Sequence, residues 1–397
     1  MEQICFIFFV FLYIYDNILI MENKTLSLYI HIPFCESKCY YCNFVSNIAK
    51  NEDKQKYINY LLKEIELYKN KKTYLKTIFI GGGTPSCLVV GEITKILNKV
   101  KDCFIIDDKT EITIECNPNS FSLEKAKEYK SCGINRLSFG LQSANDKLLK
   151  EINRIHTKKD FINAVKIAKQ TQFDNINADI LLGLPNQRLR DVKSTLKLLI
   201  KLKIKHISCY SLILEEHTKL YSLVKNNTLK LPEEDKTIKM YDFCLKYLKK
   251  HKLYRYEVSN FAKLNYECKH NLVYWNLDDY LGVGLNSHSK IDNIRYENFA
   301  DFNSYYNYLD KNKKPIKNRQ ELSLSEIKEE FIMLGLRKQQ GINLGTYKLL
   351  FNQDLLSIKQ KEIKILLNYK FINIKNNYLF ATDQGFKVLN QIILNLI

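Results

Sequence analysis

No apolar stretch in this sequence is long enough to cross a bilayer as a helix: Ile4 to Tyr15 runs to twelve residues, against the roughly 20 required. A secretory signal is missing too, since the only charge ahead of that run is Glu2 and bulky residues follow it. Met21 stands just before Lys24-Thr25-Leu26-Ser27-Leu28-Tyr29-Ile30, where a first strand should begin, so the functional protein is expected to start near Met21. Residues 1–20 then read as an apolar upstream extension, the alternative being a tail with at most peripheral membrane contact. There is no disulfide framework: Cys5, Cys87, Cys103, Cys116, Cys132, Cys209, Cys244 and Cys268 are scattered singly, as reduced thiols of a cytoplasmic protein would be. Arginine is scarce at eight residues, so the formal net charge of +18 is almost all lysine. That lysine accompanies Asn, Ile, Tyr and Phe along the whole length, the bias of an AT-rich genome. No single element gathers the charge into a stripe interleaved with aromatics, and no nucleic-acid partner is expected.

What is present is a β/α alternation. At 397 residues and 46% hydrophobic content the chain can bury a large core, and short β-branched runs alternate with longer helical patterns, as in a parallel sheet with crossover helices. The strand candidates are Leu28 to Ile32, Thr77 to Ile80, Glu111 to Glu115, Arg136 to Phe139, Asn177 to Leu181 and His206 to Leu212. A helix over Asp53 to Lys69 carries Tyr57, Leu61, Ile65 and Tyr68 on one face. Ser122 caps a further helix that Gly133 ends. Pro232 opens a helix through Lys250, an irregular aromatic region follows from Tyr254 to Tyr308, and a lysine-rich linker, Asp310 to Lys317, leads to a separate unit. There Ser323 and Glu326 form a capping box for a helix ending near Gly341, and Phe371 to Ala381 folds as a hairpin around Asn376-Asn377 before a last helix from about Gln384. The expected fold is α/β, a partial (β/α)6 barrel with a C-terminal winged-helix-like α+β domain. The segments are 1–20, 21–230 for the barrel, 231–309 capping it, and 310–397.

Cys35, Cys39 and Cys42 leave one ligand short. Three thiolates hold three irons of a four-iron, four-sulfur (4Fe-4S) cluster, and the fourth iron keeps open positions for a small molecule. Zinc is the weaker reading, because no fourth ligand completes the segment; buried thiols in a Tyr- and Phe-rich stretch are the bland one. Gly81-Gly82-Gly83-Thr84-Pro85 follows the second strand directly, where three glycines let a ligand approach the backbone, or mark only a tight turn. Strand-end residues Glu115, Gln142 and Asp179, with Arg154, offer the donors and acceptors needed by an amino acid carboxylate, a ribose and an adenine.

The joint pattern Y-I-H-I-P-F-C-x3-C-x2-C, GGGTP, E-x-N-P, L-S-F-G-x-Q-S and D-I-x-x-G-L-P resembles the radical S-adenosylmethionine (SAM) superfamily. Within it, the chain is similar to the branch of oxygen-independent coproporphyrinogen III oxidases and HemW-type haem chaperones, over residues 26–397. The resemblance implies that Cys35, Cys39 and Cys42 ligate the cluster and that Tyr29, Gly82, Gly83, Thr84, Glu115, Gln142, Arg154 and Asp179 bind SAM. Two features choose within the branch. The oxidases resemble one another in a further cysteine two residues after the third ligand, where this chain has Phe44, preceded by Asn43. His270-Asn271-Leu272-Val273-Tyr274-Trp275 looks like the haem-chaperone signature, with His270 offering an imidazole to haem iron and Tyr274 and Trp275, the only tryptophan, offering flat faces. A hydrogen-bonded histidine among core aromatics is the alternative. The resemblance thus implies a haem chaperone that delivers haem to respiratory proteins, with cluster and SAM as structural or gating elements of transfer through a homodimer; the enzymatic alternative is porphyrinogen oxidative decarboxylation.

Overall fold

The computed structural model describes residues 24–397; the apolar run Ile4 to Tyr15 and the expected start at Met21 lie outside the described residues. Six strands, β1 (Thr25–Ile32), β2 (Tyr74–Gly82), β3 (Glu111–Cys116), β4 (Arg136–Gln142), β5 (Asn175–Leu182) and β6 (His206–Ser211), pair in parallel and in chain order. Helices α1 (Asn51–Leu67), α2 (Glu92–Cys103), α3 (Leu123–Cys132), α4 (Asp146–Glu151), α5 (Lys158–Gln170) and α6 (Leu189–Lys201) connect them. The expected partial barrel is therefore present, and it does not close.

Strand alternation explains its shape. Ile112 and Ile114 of β3, Leu137, Phe139 and Leu141 of β4, and Ile176, Ala178 and Ile180 of β5 are buried in the core shared with the helices. The alternate positions, Thr113 and Glu115, Ser138 and Gln142, Asn177 and Asp179, are polar and lie on the other face. A parallel sheet covered on both sides reads as continuous apolar runs; polar alternation marks a concave face that surrounds a cavity. Helix α1 buries Tyr57, Ile58, Leu61 and Ile65, and Ser122 caps α3 by accepting the Lys125 amide hydrogen at 3.2 Å before Gly133 ends it at φ 104°.

The region expected to be irregular is ordered. After β6 come α7 (Lys219–Lys225) and α8 (Glu234–Lys250), the latter the helix expected behind Pro232, and the region itself contains β7 (Tyr254–Arg255), β8 (Asn260–Ala262), α9 (Lys269–Trp275), β9 (Tyr280–Val283), β10 (His288–Ile291), β11 (Ile294–Asn298) and α10 (Phe302–Asp310). These strands extend the sheet on both flanks, giving the order β12-β11-β10-β9-β1-β2-β3-β4-β5-β6-β8-β7, in which β12 is Ile316–Glu321. The expected linker thus runs into a strand that pairs antiparallel with β11, Ile294 opposite Glu321. Strand β12 was not legible because, past a half-buried Ile316, it is exposed throughout, and an open edge carries no apolar alternation.

Beyond it, α11 (Leu324–Gly335) begins at the Ser323/Glu326 capping box and stops six residues short of Gly341. Then come β13 (Ile342–Asn343), α12 (Leu344–Phe351), α13 (Leu355–Ile358), α14 (Gln360–Asn368), β14 (Ile372–Lys375), β15 (Tyr378–Ala381) and α15 (Leu389–Leu396). The β14–β15 hairpin turns on Asn376 (φ 51°) and Asn377 (φ 63°), the left-handed pair that a two-residue turn requires. Ile332, Leu336, Tyr347, Leu379 and Ile392 form a core separate from that of the barrel. None of the described helices is long and apolar enough to cross a membrane.

Candidate functional site

A cavity of about 430 Å³ occupies the concave face of the parallel sheet. Cys35, Cys39, Cys42, Gly82, Gly83, Thr84, Glu115, Gln142, Arg154 and Asp179 all line it, although they come from sites spread over 145 residues of chain. Strand direction brings most of them together: the cysteines, Gly82, Gly83, Thr84, Glu115 and Gln142 follow or lie at the end of a parallel strand, and the carboxyl ends of such strands open on one side of the sheet; Asp179 lies within β5 and Arg154 in the loop after α4. Gln142 reaches inward through a register shift between Gly140 and Gln142 and its left-handed φ of 63°. Tyr29 does not line the cavity; its ring stacks on Phe79 and its hydroxyl meets His31 Nδ1 at 3.0 Å.

The three cysteines are free and half-buried. Thr84 Oγ1 donates to Cys35 Sγ and Arg154 Nη1 to Cys39 Sγ, each at 3.5 Å, contacts that favour thiolates. Burial pushes the Cys42 thiol up. Among the described residues no single-ion cage exists, whereas a cubane spaces its ligands apart around a cluster. A set of three thiols with donors aimed at two of them, opening on one cavity, fits such a cluster and leaves one corner unligated by protein.

The glycine run is required for close packing. A Cβ on Gly83 would lie 2.5 Å from the Phe34 carbonyl oxygen, and one on Gly82, whose φ is 111°, would lie 2.6 Å from the His31 ring. The glycines let the segment leading into the cysteines pack against β2, and Gly82 and Gly83 also line the cavity. Gly82 N–H also donates to Glu115 Oε2 at 3.2 Å.

Electrostatically the cavity mixes signs. Burial, then the neighbouring Asp179, raises the Glu115 carboxyl to about 8, and burial also raises Asp179. Arg154 is held by Asn117 Oδ1 at 2.7 Å and the Gly140 carbonyl at 2.6 Å. Behind Asp179 runs a buried relay. Asn177 Nδ2 donates to Asp179 Oδ1 at 2.8 Å, while Asn177 Oδ1 accepts from Ser208 Oγ at 3.2 Å and from His206 Nδ1 at 2.7 Å. Burial and the Arg136 charge keep His206 neutral, so with Nδ1 donating its Nε2 accepts, and Tyr256 supplies the hydrogen at 2.8 Å.

His270 has the surroundings of the alternative reading, a hydrogen-bonded histidine among core aromatics. It is 1% exposed, its Nδ1 meets Thr77 Oγ1 at 2.7 Å and its Nε2 meets Tyr274 Oη at 2.9 Å. Both ring nitrogens are engaged and the ring stacks on Phe79, so it offers no nitrogen to an outside iron. Its backbone N–H donates to Glu111 Oε1 at 3.1 Å, tying α9 to β3. From this motif Asn271, not His270, lines the cavity.

Comparison with known proteins agrees with this geometry. Residues 29–199 match the family model of the radical SAM superfamily and residues 322–388 that of the HemN C-terminal domain. The chain is 34% identical over 372 residues to the heme chaperone HemW of Lactococcus lactis, covering 94% of this chain and 97% of that one. It is also 34% identical over 369 residues to HemW of Bacillus subtilis, covering 92% and 97%. This chain belongs to the HemW family. The structure of coproporphyrinogen III oxidase (HemN) from Escherichia coli shares the fold, with a TM-score of 0.82 at 19% identity over 94% of this chain and 90% of that one. As a member of the radical SAM superfamily, the HemW family implies a 4Fe-4S cluster and SAM.

Several cavity residues escaped the sequence reading. Asn117 joins Arg154 to Thr84, donating through Nδ2 to Thr84 Oγ1 at 3.2 Å, and Arg136, Ser138, Asn177 and Ser208 line the interior. For Ser138 and Asn177 the signal was the period of two, four residues before Gln142 and two before Asp179 on the same strands; Arg136 and Ser208 had no assigned neighbour at that spacing on their own strand, and Asn117 lies past the end of β3.

Proposed function

We propose that this chain carries haem to haem-requiring proteins, respiratory enzymes at the cytoplasmic membrane face among them, with a 4Fe-4S cluster on Cys35, Cys39 and Cys42 and SAM in the cavity beside it. The observation that carries the reading is the convergence of those three thiols with Gly82, Thr84, Glu115, Gln142, Arg154 and Asp179 on one cavity. The names of the HemW relatives support haem as the cargo. Phe44, 70% exposed, stands where the porphyrin-oxidising branch resembles itself in a cysteine, which favours carriage over oxidation.

When bound on Cys35, Cys39 and Cys42, the cluster would supply one-electron chemistry toward the sulfonium of SAM. The chain's own residues bind and orient. Thr84 and Arg154 direct hydrogens at the sulfurs, Asp179 presents a carboxylate oxygen fixed by Asn177, and Glu115 offers a carboxyl that is protonated below about pH 8. Wall residues at the strand ends thereby distinguish donors from acceptors on a nucleotide. The haem ligand is assigned to no residue, since His270 is sealed.

Anaerobic, cluster-loaded protein incubated with coproporphyrinogen and SAM should yield no decarboxylated product, and the same protein should take up haem with a saturating spectral change. Decarboxylation would refute the chaperone-only reading; absence of haem uptake would remove the cargo.

A further inference from the structure

Below Glu115 and Asp179 the cavity continues toward the amino ends of the strands, among residues assigned to neither cluster nor SAM. Arg136 opens β4 and points inward, because Leu137, Phe139 and Leu141 take the helix side. Glu115 pairs with Ser138 and Asp179 with Gly140, so Arg136 sits two to four residues, roughly 7–13 Å, deeper along the strand. Its side chain is almost wholly buried at 2% exposure, lines the cavity, and has no partner for Nε. Glu111 and Asp179 are near enough for their fields to favour the charged guanidinium, yet neither bonds to Nε. Thr113 Oγ1, on the neighbouring strand face, is likewise buried without a partner. Asn271, Ser138 and Ser208 line the same space.

An unsatisfied buried guanidinium is costly, and its planar fork matches the two oxygens of a carboxylate. Water accepts from single N–H groups but brings neither the negative charge nor the paired oxygens that the fork matches. We propose that this lower chamber is a second ligand subsite that takes a carboxylate, with Arg136 as its receptor. Resting on the haem reading, the carboxylate is a propionate arm of the carried porphyrin.

Two arms test this with cluster-loaded protein. In the first, thermal midpoints are followed during titration with propionate against chloride at equal ionic strength; the apparent propionate affinity should fall at least tenfold in R136Q. In the second, haem is compared with haem dimethyl ester, whose propionates are capped. Wild type should prefer haem at least tenfold, and R136Q should bind the two equally while keeping the affinity for the ester. Iron and sulfide content reports that each variant has folded; if R136Q has not, R136K, which keeps the charge but loses the fork, should show reduced discrimination. If propionate stabilises the variant as it does wild type and the preference for free haem persists, the subsite is refuted while haem carriage stands. If neither porphyrin binds wild type but the propionate arm holds, the carboxylate site stands and the haem reading falls.

Discussion

Thr77 and His270, 193 residues apart in the chain, share a 2.7 Å hydrogen bond inside the molecule. It fastens α9 to β2, next to the bond between the His270 amide and Glu111, and makes His270 a structural residue. His270→Ala should leave the Thr77 and Tyr274 hydroxyls without these bonds and cost about 2–4 kcal/mol, read as a lower urea midpoint. Haem affinity and spectrum per folded molecule should not change; a lost or shifted haem spectrum would restore His270 as ligand.

Gly83→Ala would force a methyl to within 2.5 Å of the Phe34 carbonyl oxygen. Backbone must move to admit it, at a cost of about 1–3 kcal/mol by the measure of overpacked sites. Because Phe34 precedes Cys35, the displacement should also lower iron retained after reconstitution. Full iron content with unchanged stability would show that the contact is relaxed easily.

The raised Glu115 carboxyl makes stability depend on pH. Between its ordinary value of 4.5 and about 8, the folded state binds more protons than the unfolded one, so stability falls as pH rises through that window, by at most about 1.4 kcal/mol per pH unit. Buried Glu64 and Glu257, also raised, to about 7, add to the slope. Glu115→Gln should flatten it. Urea midpoints at pH 5.5 and 8.5, taken without SAM, check this; equal slopes in the two proteins would mean that Glu115 is ionised throughout.

The relay from Tyr256 through His206 and Asn177 to Asp179 predicts that His206→Phe weakens SAM binding about tenfold without touching the cavity. His206 is a positioning residue, so the same loss should vanish in an Asp179→Asn background. Additive losses in the double variant would break the link.

The six parallel strands were legible because most carry β-branched residues and β4 alternates Leu137, Phe139 and Leu141, and the cysteine trio and strand-end residues because their chemistry recurs at fixed places after those strands. The flanking strands were not: β7 to β11 are two to five residues long, and β9 joins the parallel sheet by pairing with the distant β1, Leu28 opposite Leu281. Nor does any local pattern separate a sealed histidine from a ligand. The partner that decides the matter for His270 is Thr77, on another strand. Arg136 was missed for a related reason: a charged residue opening a strand reads as surface until alternation turns it inward.

The most direct test of the account is iron and acid-labile sulfide analysis of anaerobically reconstituted protein beside its Cys35→Ser/Cys39→Ser/Cys42→Ser counterpart. The account predicts about four irons and four sulfides per chain in the first and none bound in the second. Metal-free wild type, or a triple variant that holds as much iron as its parent, would contradict it.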